Sequence, residues 1–396
     1  MAHSTMPLST DHAHRRRLTV ALYGVAVLIY WIALYLYVPT LPTYIRSKSD
    51  DLALVGVVLS MYGLWQAIVR LPLGIAADWL GRRKPFIVAG FVLVGLGAWL
   101  MGSADTVNDL ILGRAVTGLA AATWVPLVAV FSTLFPPEEA VRASALLTFI
   151  GSVGRVLATG ITGSLNDLGG YPLAFFLAAG AAVVAILVLL PASERQTAAC
   201  QPSWGGIGRL ITRRDVLLPA LLSAVNMHAN YAVSYGFLPI LAQDLGATDV
   251  VKSFLVSLHI GLSTLGNLAA MAAVHRLGAR RLVDVSFVLL ALGIGGVALA
   301  SSLPLLFAAQ FLIGLASGVV YPVLMGLSIR FVADAERTTA MGLHQAVYAA
   351  GMFSGPWLSG LLAQALGIQT MFGLTAFACL AIGLLVARWL VVERRA

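Results

Sequence analysis

Three arginines, Arg70, Arg114 and Arg155, lie inside long apolar stretches of the 396-residue sequence. A charge there is costly unless it faces a cavity or has a partner. None of the 17 acidic residues lies deep in these stretches, since all fall in tails, loops or stretch ends. A guanidinium suits a carboxylate or phosphate, so we predict that Arg155 and Arg114 bind an anionic substrate group. The alternatives are helix packing for Arg114 and, for Arg70, bonds to helix-end carbonyls or Asp78.

Histidines supply a second kind of chemistry. His228, His259 and His344 lie in apolar stretches of the second half of the chain. Histidine is the side chain whose charge changes near neutral pH, so we predict that His228 and His259 carry a coupled proton. An ordinary hydrogen bond between helices is the alternative for each. The three histidines lack an i, i+4 partner and the two cysteines lack ligand spacing, so no metal site is expected.

Aromatic and amide side chains recur at corresponding positions of the two halves. Tyr30 and Tyr35 lie in the first apolar stretch, and Asn230 and Tyr231 lie in the seventh, at an offset of about 200 residues. Aromatic rings with polar tips accept amphipathic ligands. We predict that these four residues contact the substrate, with an aromatic belt at the membrane interface as the alternative.

The composition indicates which kind of element must position these residues. The chain is 59% hydrophobic and 11% charged, with a mean hydropathy of +0.91. Soluble proteins contain about 25% charged residues. Too few charged residues are present to cover a water-facing surface. The sequence therefore predicts an integral membrane protein, with membrane lipid as its surroundings.

Twelve stretches are long enough to cross a bilayer, which takes about 20 apolar residues. They run approximately from 18 to 40, 52 to 77, 85 to 103, 109 to 134, 140 to 165, 171 to 192, 216 to 242, 251 to 274, 282 to 301, 304 to 331, 338 to 364 and 370 to 391. We predict an all-α membrane protein of twelve transmembrane helices.

Basic residues are distributed unevenly between the loops. With the amino terminus in the cytoplasm, 19 of them fall in inside segments and three in outside loops. By the positive-inside rule, both termini are predicted to be cytoplasmic. The net charge of +8 belongs to these loops, so no nucleic-acid partner is expected.

The chain divides into two related halves. We predict a tail at 1–17, six-helix bundles at 18–192 and 216–391, a cytoplasmic linker at 193–215 and a second tail at 392–396. The run Gly118-Leu119-Ala120 recurs as Gly314-Leu315-Ala316, and Gln310 occupies the repeat position of Arg114. We therefore include Gln310 in the predicted substrate site. Such a duplication is typical of secondary transporters that bind substrate between two pseudo-symmetric halves.

The loop after the second stretch carries the most specific motif, formed by Gly74, Asp78, Gly81, Arg82 and two further basic residues. With this motif, the sequence resembles the major facilitator superfamily along essentially its whole length, and is most similar in pattern to the twelve-span drug:proton antiporter branch. The resemblance implies the two-bundle fold and a latch at these four residues that holds the cytoplasmic side shut. A positive-inside loop with a turn glycine is the alternative.

Two further motifs bear on the branch. Arg114 begins a small-residue run that resembles the family motif of the fourth span. The glycine-then-Gly-Pro motif of many proton-coupled exporters is intact at 351–356, in the eleventh stretch. In the fifth stretch Arg155 stands where its proline would be, which weakens the exporter assignment.

These features predict a secondary active transporter of the cell (plasma or inner) membrane that works by alternating access. Proton-coupled export of a small amphipathic anion is the leading interpretation. An organic-anion importer or exchanger without proton coupling is the first alternative, and a non-transporting receptor or lipid-handling protein is the second. No nucleotide loop or catalytic triad is present, so we expect no enzyme activity, no cofactor beyond the proton, and a monomer.

Overall fold

The computed structural model describes residues 10–194, 204–333 and 336–391. The start of the predicted amino-terminal tail, the 392–396 tail and residues 195–203 of the predicted linker lie outside this part. Within it, all regular elements are helices.

The described part of the first half contains seven α-helices. They are α1 (Thr10–Tyr35), α2 (Leu41–Arg46), α3 (Leu52–Leu80), α4 (Lys84–Gly102), α5 (Val107–Ala122), α6 (Trp124–Thr133) and α7 (Ala140–Leu189). The described part of the second half contains eight. They are α8 (Trp204–Thr212), α9 (Arg214–Ala232), α10 (Leu238–Asp244), α11 (Asp249–Leu277), α12 (Ala279–Ala298), α13 (Leu303–Ile329), α14 (Arg337–Leu366) and α15 (Ile368–Ala387).

Ten helical segments of the described chain are long and apolar enough to cross a membrane. One of them contains most of α7, which is two helices joined at Gly169 and Gly170. Gly170 has a φ of 69°, a left-handed conformation that suits glycine, and Pro172 follows. The break falls between the predicted fifth and sixth spans. The eleventh predicted span forms α14 but is not among the ten, because its sequence is rich in polar residues.

Two predicted spans are interrupted. The fourth is divided into α5 and α6 at Thr123, whose Oγ1 donates to Ala120 O at 2.6 Å. The seventh contains a π-helical segment, Val233–Phe237, between α9 and α10. Such segments add one residue to a helical turn and are frequent at functional sites.

The halves meet along α3 with α14 and along α7 with α11. Glycines bring α3 and α14 into backbone contact, because a Cβ on Gly56 would lie 2.4 Å from Pro356 O and one on Gly63 would lie 2.3 Å from Phe353 N. Large apolar side chains cover the outside of the bundle, as shown by Phe377, which is 72% exposed. An outer surface of this kind requires lipid as its solvent.

Candidate functional site

A cavity of about 340 Å³ lies between the two halves. Residues of α1, α3, α6 and α7 line one side, and residues of α9, α11, α13 and α14 line the other. No acidic residue of the described chain lines it. Its aromatic side chains come from both halves and are Trp31, Tyr35, Tyr62, Trp124, Tyr231, Tyr235, Tyr321 and Tyr348.

Arg155 on α7 contributes a positive charge to this cavity. Its Nη2 donates to Ser152 Oγ at 2.8 Å, and its guanidinium carbon lies 5.0 Å from the Trp31 ring centre and 5.7 Å from that of Tyr35. Its Nε has no hydrogen-bond partner in the described structure. Aromatic faces hold the cation in place and leave donor capacity for a ligand.

Arg70 on α3 is the second arginine of the cavity. It donates to Gln66 Oε1 and Tyr348 Oη, and its Nε is without a partner in the described structure. The helix-end carbonyls considered from sequence are not among these partners, and the side chain of Asp78 lies outside the described part of the structure. Because Tyr348 belongs to α14, Arg70 also connects the two halves.

Four tyrosines, Tyr35, Tyr62, Tyr231 and Tyr235, form what we call the tyrosine layer at one boundary of the cavity. Tyr62 stacks on Tyr231 with ring centres 6.2 Å apart, and Tyr35 meets Tyr235 edge to face at 6.2 Å. Each pair joins one half to the other. Arg114 lies behind this layer, 4.2 Å from the Tyr62 ring centre, and does not line the main cavity.

His259 on α11 lines the cavity. The Ser234 hydroxyl donates its one hydrogen to Gln310 Oε1 at 3.0 Å, so it accepts a hydrogen bond from His259 Nδ1, 3.4 Å away. In this arrangement His259 Nε2 keeps its lone pair and can accept a proton. Gln310 itself is fully buried outside the main cavity, where it positions Ser234.

Asn230 and Tyr231 on α9 both line the cavity. The Asn230 amide donates to Asn226 O at 2.7 Å, and its oxygen accepts from Ser317 Oγ at 3.0 Å. Asn230 is therefore held by other residues of the second half. Its substrate role stays a prediction, as do those of Arg155, Tyr35 and Tyr231.

Two further predicted site residues do not line the main cavity. Tyr30 stacks on Phe91 at 4.9 Å and donates to Ala120 O at 3.2 Å. His228 lies between α9 and α14, with Nδ1 3.0 Å from Ser354 Oγ. Adjacent helical residues point about 100° apart, so Trp31 reaches the cavity where Tyr30 does not.

The predicted latch lies at the end of α3. Gly81 has a φ of 64°, a conformation that favours glycine over other residues, and a Cβ on Gly74 would contact Val125. The side chain of Asp78 lies outside the described part of the structure. The latch role of Asp78, Gly74, Gly81 and Arg82 therefore stays a prediction.

Glu194 was not identified from the sequence, although it binds this same loop. Its carboxylate accepts from the backbone amides of Arg83 at 2.5 Å and Lys84 at 3.0 Å. These amides are at the start of α4, where a negative charge is favourable. The sequence did contain a signal for this contact. An acidic residue directly follows the last span of the first bundle, on the same side of the membrane as the basic loop.

Sequence reasoning also missed a buried ion pair on α11 that two residues of the first half contact. Lys252 on α11 is 1% exposed, and its Nζ lies 2.6 Å from Asp249 Oδ1 and donates to Thr43 Oγ1 at 3.1 Å. Asn166 Nδ2 of α7 donates to Asp249 Oδ2 at 2.7 Å. Asp249 and Lys252 are three residues apart and so share a helix face, which was the available signal.

A second ion pair lies at the same end, where Arg46 Nη1 of α2 is 2.7 Å from Asp244 Oδ1 of α10. We name this end the closed end and define it by Thr43, Arg46, Asn166, Asp244, Asp249 and Lys252. The cavity extends from the tyrosine layer in the opposite direction, towards Ser144 and Gln345 near the starts of α7 and α14.

The pattern of the Major Facilitator Superfamily matches residues 23–227 and 220–396. Among curated proteins, the inner membrane transport protein YajR of Escherichia coli K12 is 31% identical over 33% of this chain and 29% of its own length. The class H tetracycline resistance protein of Pasteurella multocida is 28% identical over 42% of each chain. The matched stretches thus span less than half of either relative.

A solved structure extends the likeness to nearly the whole chain. It is a bacterial homologue of the human lysosomal transporter Spinster, in an inward-facing and unoccupied conformation. The two share 15% identity with a TM-score of 0.78, covering 96% of this chain and 99% of the other. At this identity the comparison establishes the fold alone.

Proposed function

This chain belongs to the Major Facilitator Superfamily, and we propose that it exports a small amphipathic organic anion in exchange for protons. It is a multi-pass inner-membrane transporter of small molecules rather than an enzyme, which confirms the corresponding sequence predictions. The observation that carries the proposed substrate class is the pairing of Arg155 and Arg70 in an aromatic cavity without a described acidic residue. Two uncompensated cations favour an anionic ligand.

The proposed topology has twelve crossings, with α7 counted as two spans and α14 added to the ten helical segments. A cytoplasmic amino terminus then places α2 and the rest of the closed end outside. The cavity accordingly opens to the cytoplasm, where an exporter loads its substrate. The whole cavity forms within one chain, which supports a working monomer.

The tetracycline resistance relative supports export as the direction. Proton coupling is supported by His259, whose Nε2 is free to accept a proton beside Arg155 and its anionic ligand. A proton on His259 attracts the anion held at Arg155, so electrostatics alone favours binding of both together. Exchange of the two therefore requires in addition that the protein reorients with either the proton or the anion bound, and not with both.

Anion-for-anion exchange is the second candidate function. Both arginines of the cavity stay charged at physiological pH, so an incoming anion can replace an outgoing one without any proton. This mechanism requires a counter-anion on the far side of the membrane. It predicts transport at equal pH on both sides.

Flux into proteoliposomes tests both candidates. We choose naphthalenesulfonate as the probe because it is aromatic, permanently anionic and slow to leak, with naphthalenesulfonamide as its neutral counterpart. Proton-coupled export predicts accumulation of the sulfonate in acid-loaded vesicles and little accumulation of the sulfonamide. Accumulation that needs an internal anion but no pH difference would establish exchange instead. No driven flux across a broad panel of anions would favour the receptor alternative.

A further inference from the structure

Methionine side chains form part of the cavity wall, and all of them come from the second half. They are Met227 on α9, Met325 on α13, and Met341 and Met352 on α14. We call these four residues the methionine wall. The other methionines of the described chain do not line the cavity, and they are Met61, Met101, Met271 and Met371. Half of the described methionines thus meet at one surface.

The methionine wall borders open space rather than filling a core. Met341 is 37% exposed, and Met227 and Met325 are partly exposed. Met352 is the deepest of the four, at 4% exposed, and still lines the cavity. Met101, outside the cavity, is by contrast fully buried. The side chains of the wall are therefore placed where a ligand in the cavity would contact them.

The opposite side of the cavity is built from stiffer side chains. Trp31 lies with its ring centre 5.2 Å from that of Trp124 and 5.6 Å from that of Tyr35, so the three rings support one another. An aromatic side chain has two rotatable bonds and a rigid plane. Methionine is unbranched, with three rotatable bonds and a polarisable sulfur, and it adapts to apolar surfaces of different shape. The two sides of the cavity thus differ in how far they can adjust to a ligand.

We propose that the methionine wall receives the apolar part of the ligand and accepts many shapes of it, while Arg155 selects its charge. The substrate class is then a set of amphipathic organic anions that share a charged group and differ in apolar shape. Binding surfaces that accept many partners use flexible, methionine-rich faces that can repack. The anionic part of this inference rests on the proposed function, whereas the role of the methionine wall does not depend on the charge of the ligand.

Shape isomers of one anion test this role by calorimetry on the full chain in detergent. The ortho, meta and para isomers of biphenylsulfonate have the same charge and the same atoms, so their affinities differ through shape. In the wild type the three affinities should agree within about threefold, as expected of a surface that repacks around each isomer.

A leucine variant of the methionine wall should lose this tolerance. It combines Met227→Leu, Met325→Leu, Met341→Leu and Met352→Leu. Leucine keeps the side-chain volume but is branched and stiffer, so the affinities should spread to about tenfold or more, the scale on which a fitted apolar pocket discriminates. The matched control changes the same number of methionines outside the cavity and should keep the narrow spread. It combines Met61→Leu, Met101→Leu, Met271→Leu and Met371→Leu.

Two results would overturn the role of the methionine wall. One is a wild-type spread as wide as that expected of the wall variant, and the other is an unchanged spread in the wall variant. The neutral isomers of biphenylsulfonamide separate this role from the proposed function. Sulfonamides that bind as tightly as sulfonates, with the same shape tolerance, would contradict anion selection and support the methionine wall. Binding of neither series would overturn both.

Nuclear magnetic resonance of isotope-labelled methionine methyl groups in the wild type provides a second measurement if the wall variant does not fold. The four signals of the methionine wall should shift with every isomer, and to a different position with each, because ring currents report how each wall methyl meets the bound ring. Signals that respond to one isomer alone, or shifts confined to methionines outside the cavity, would contradict the proposal.

Discussion

The two halves of the transporter treat the polar groups around the cavity in opposite ways. In the first half, the Nε atoms of Arg70 and Arg155 lack partners within the described structure. In the second half, Asn230 is bonded at both ends of its amide, and His259 connects through Ser234 to a buried glutamine. The unpartnered cavity groups of the first half are thus donors, including both arginine cations, whereas those of the second half are amide oxygens, Asn267 Oδ1 and Gln345 Oε1.

One pair of positions related by the internal repeat shows the same difference between the halves. Arg114 and Gln310 correspond in the internal duplication, yet Arg114 has two donors without described partners, whereas Gln310 is bonded to Ser234 and Leu255. We infer that duplication supplied one scaffold and that each half then specialised. In the proposed function, the first half would recognise the charge of the ligand, and the second half would provide the proton acceptor.

The largest expected effect comes from the proton acceptor of the second half. His259→Gln can keep a bond to Ser234 but cannot take up a proton. Accumulation of naphthalenesulfonate in acid-loaded vesicles should therefore fall to the level of protein-free vesicles, while exchange of labelled for unlabelled probe continues. His228→Gln is the matched control and should retain accumulation. The opposite result would assign the proton to His228, the other histidine predicted from the sequence.

At the closed end the two halves do not differ in this way, because their polar groups bind each other there. Asp249→Asn removes the negative charge beside the buried Lys252 ammonium, which still donates to Thr43 Oγ1 and Gln243 Oε1. The cost is therefore at most about 3–5 kcal/mol, the range typical of a broken buried ion pair. Opening of this end relieves that cost, so distances between spin labels on α2 and α10 should lengthen. Asp249→Asn combined with Lys252→Met removes both charges and should restore the short distance. Unchanged distances in the single variant would contradict a gating role.

Charge recognition by the first half is tested at Arg155. Arg155→Gln should weaken binding of naphthalenesulfonate by about 1.5–3 kcal/mol, the scale of a hydrogen bond to a charged group. The neutral sulfonamide should lose much less affinity. Arg155→Lys should restore binding only in part, since a point charge cannot replace a planar fork. Equal losses for both compounds, measured by calorimetry, would make Arg155 a packing residue.

The smallest expected effect is at the exposed contact of the closed end. Arg46 and Asp244 have side chains 33% and 44% exposed, and such pairs contribute about 0.2–1 kcal/mol. Arg46→Gln should lengthen the α2 to α10 distance slightly, and added salt should produce a similar change in the wild type. A change as large as that of Asp249→Asn would show that Arg46 and Asp244, rather than Asp249 and Lys252, form the main contact that keeps this end closed.

Hydropathy predicted most helices closely, because burial in lipid is a property of composition. The stretch at 85–103 forms α4 at Lys84–Gly102, and the stretch at 282–301 forms α12 at Ala279–Ala298. The interruption at Thr123 and the π-helical Val233–Phe237 were not predicted. Both interruptions leave the segment helical and apolar, so a hydropathy average along the sequence does not detect them.

The cavity was harder to predict than the helices. Arg155, Tyr35 and His259 were identified by their depth and chemistry, and they do line one cavity. Depth alone does not determine which way a side chain points, which is why His228 was grouped with them. Lys252 was counted as a loop charge, because its burial depends on residues of the other half that pack around it.

The tyrosine layer has an electrical consequence. In the proposed topology the cavity opens to the cytoplasm and is at nearly the cytoplasmic potential, so most of the membrane voltage would fall across the packed tyrosines and the closed end. An anion that reaches Arg155 has then crossed almost none of the voltage, and its loading is electrically silent. When the opposite end opens and the cytoplasmic end closes, the voltage drop moves to the other side of the ligand. The work, about 2.3 kcal/mol per charge for each 100 mV, is exchanged in that conformational step, while the ligand itself scarcely moves.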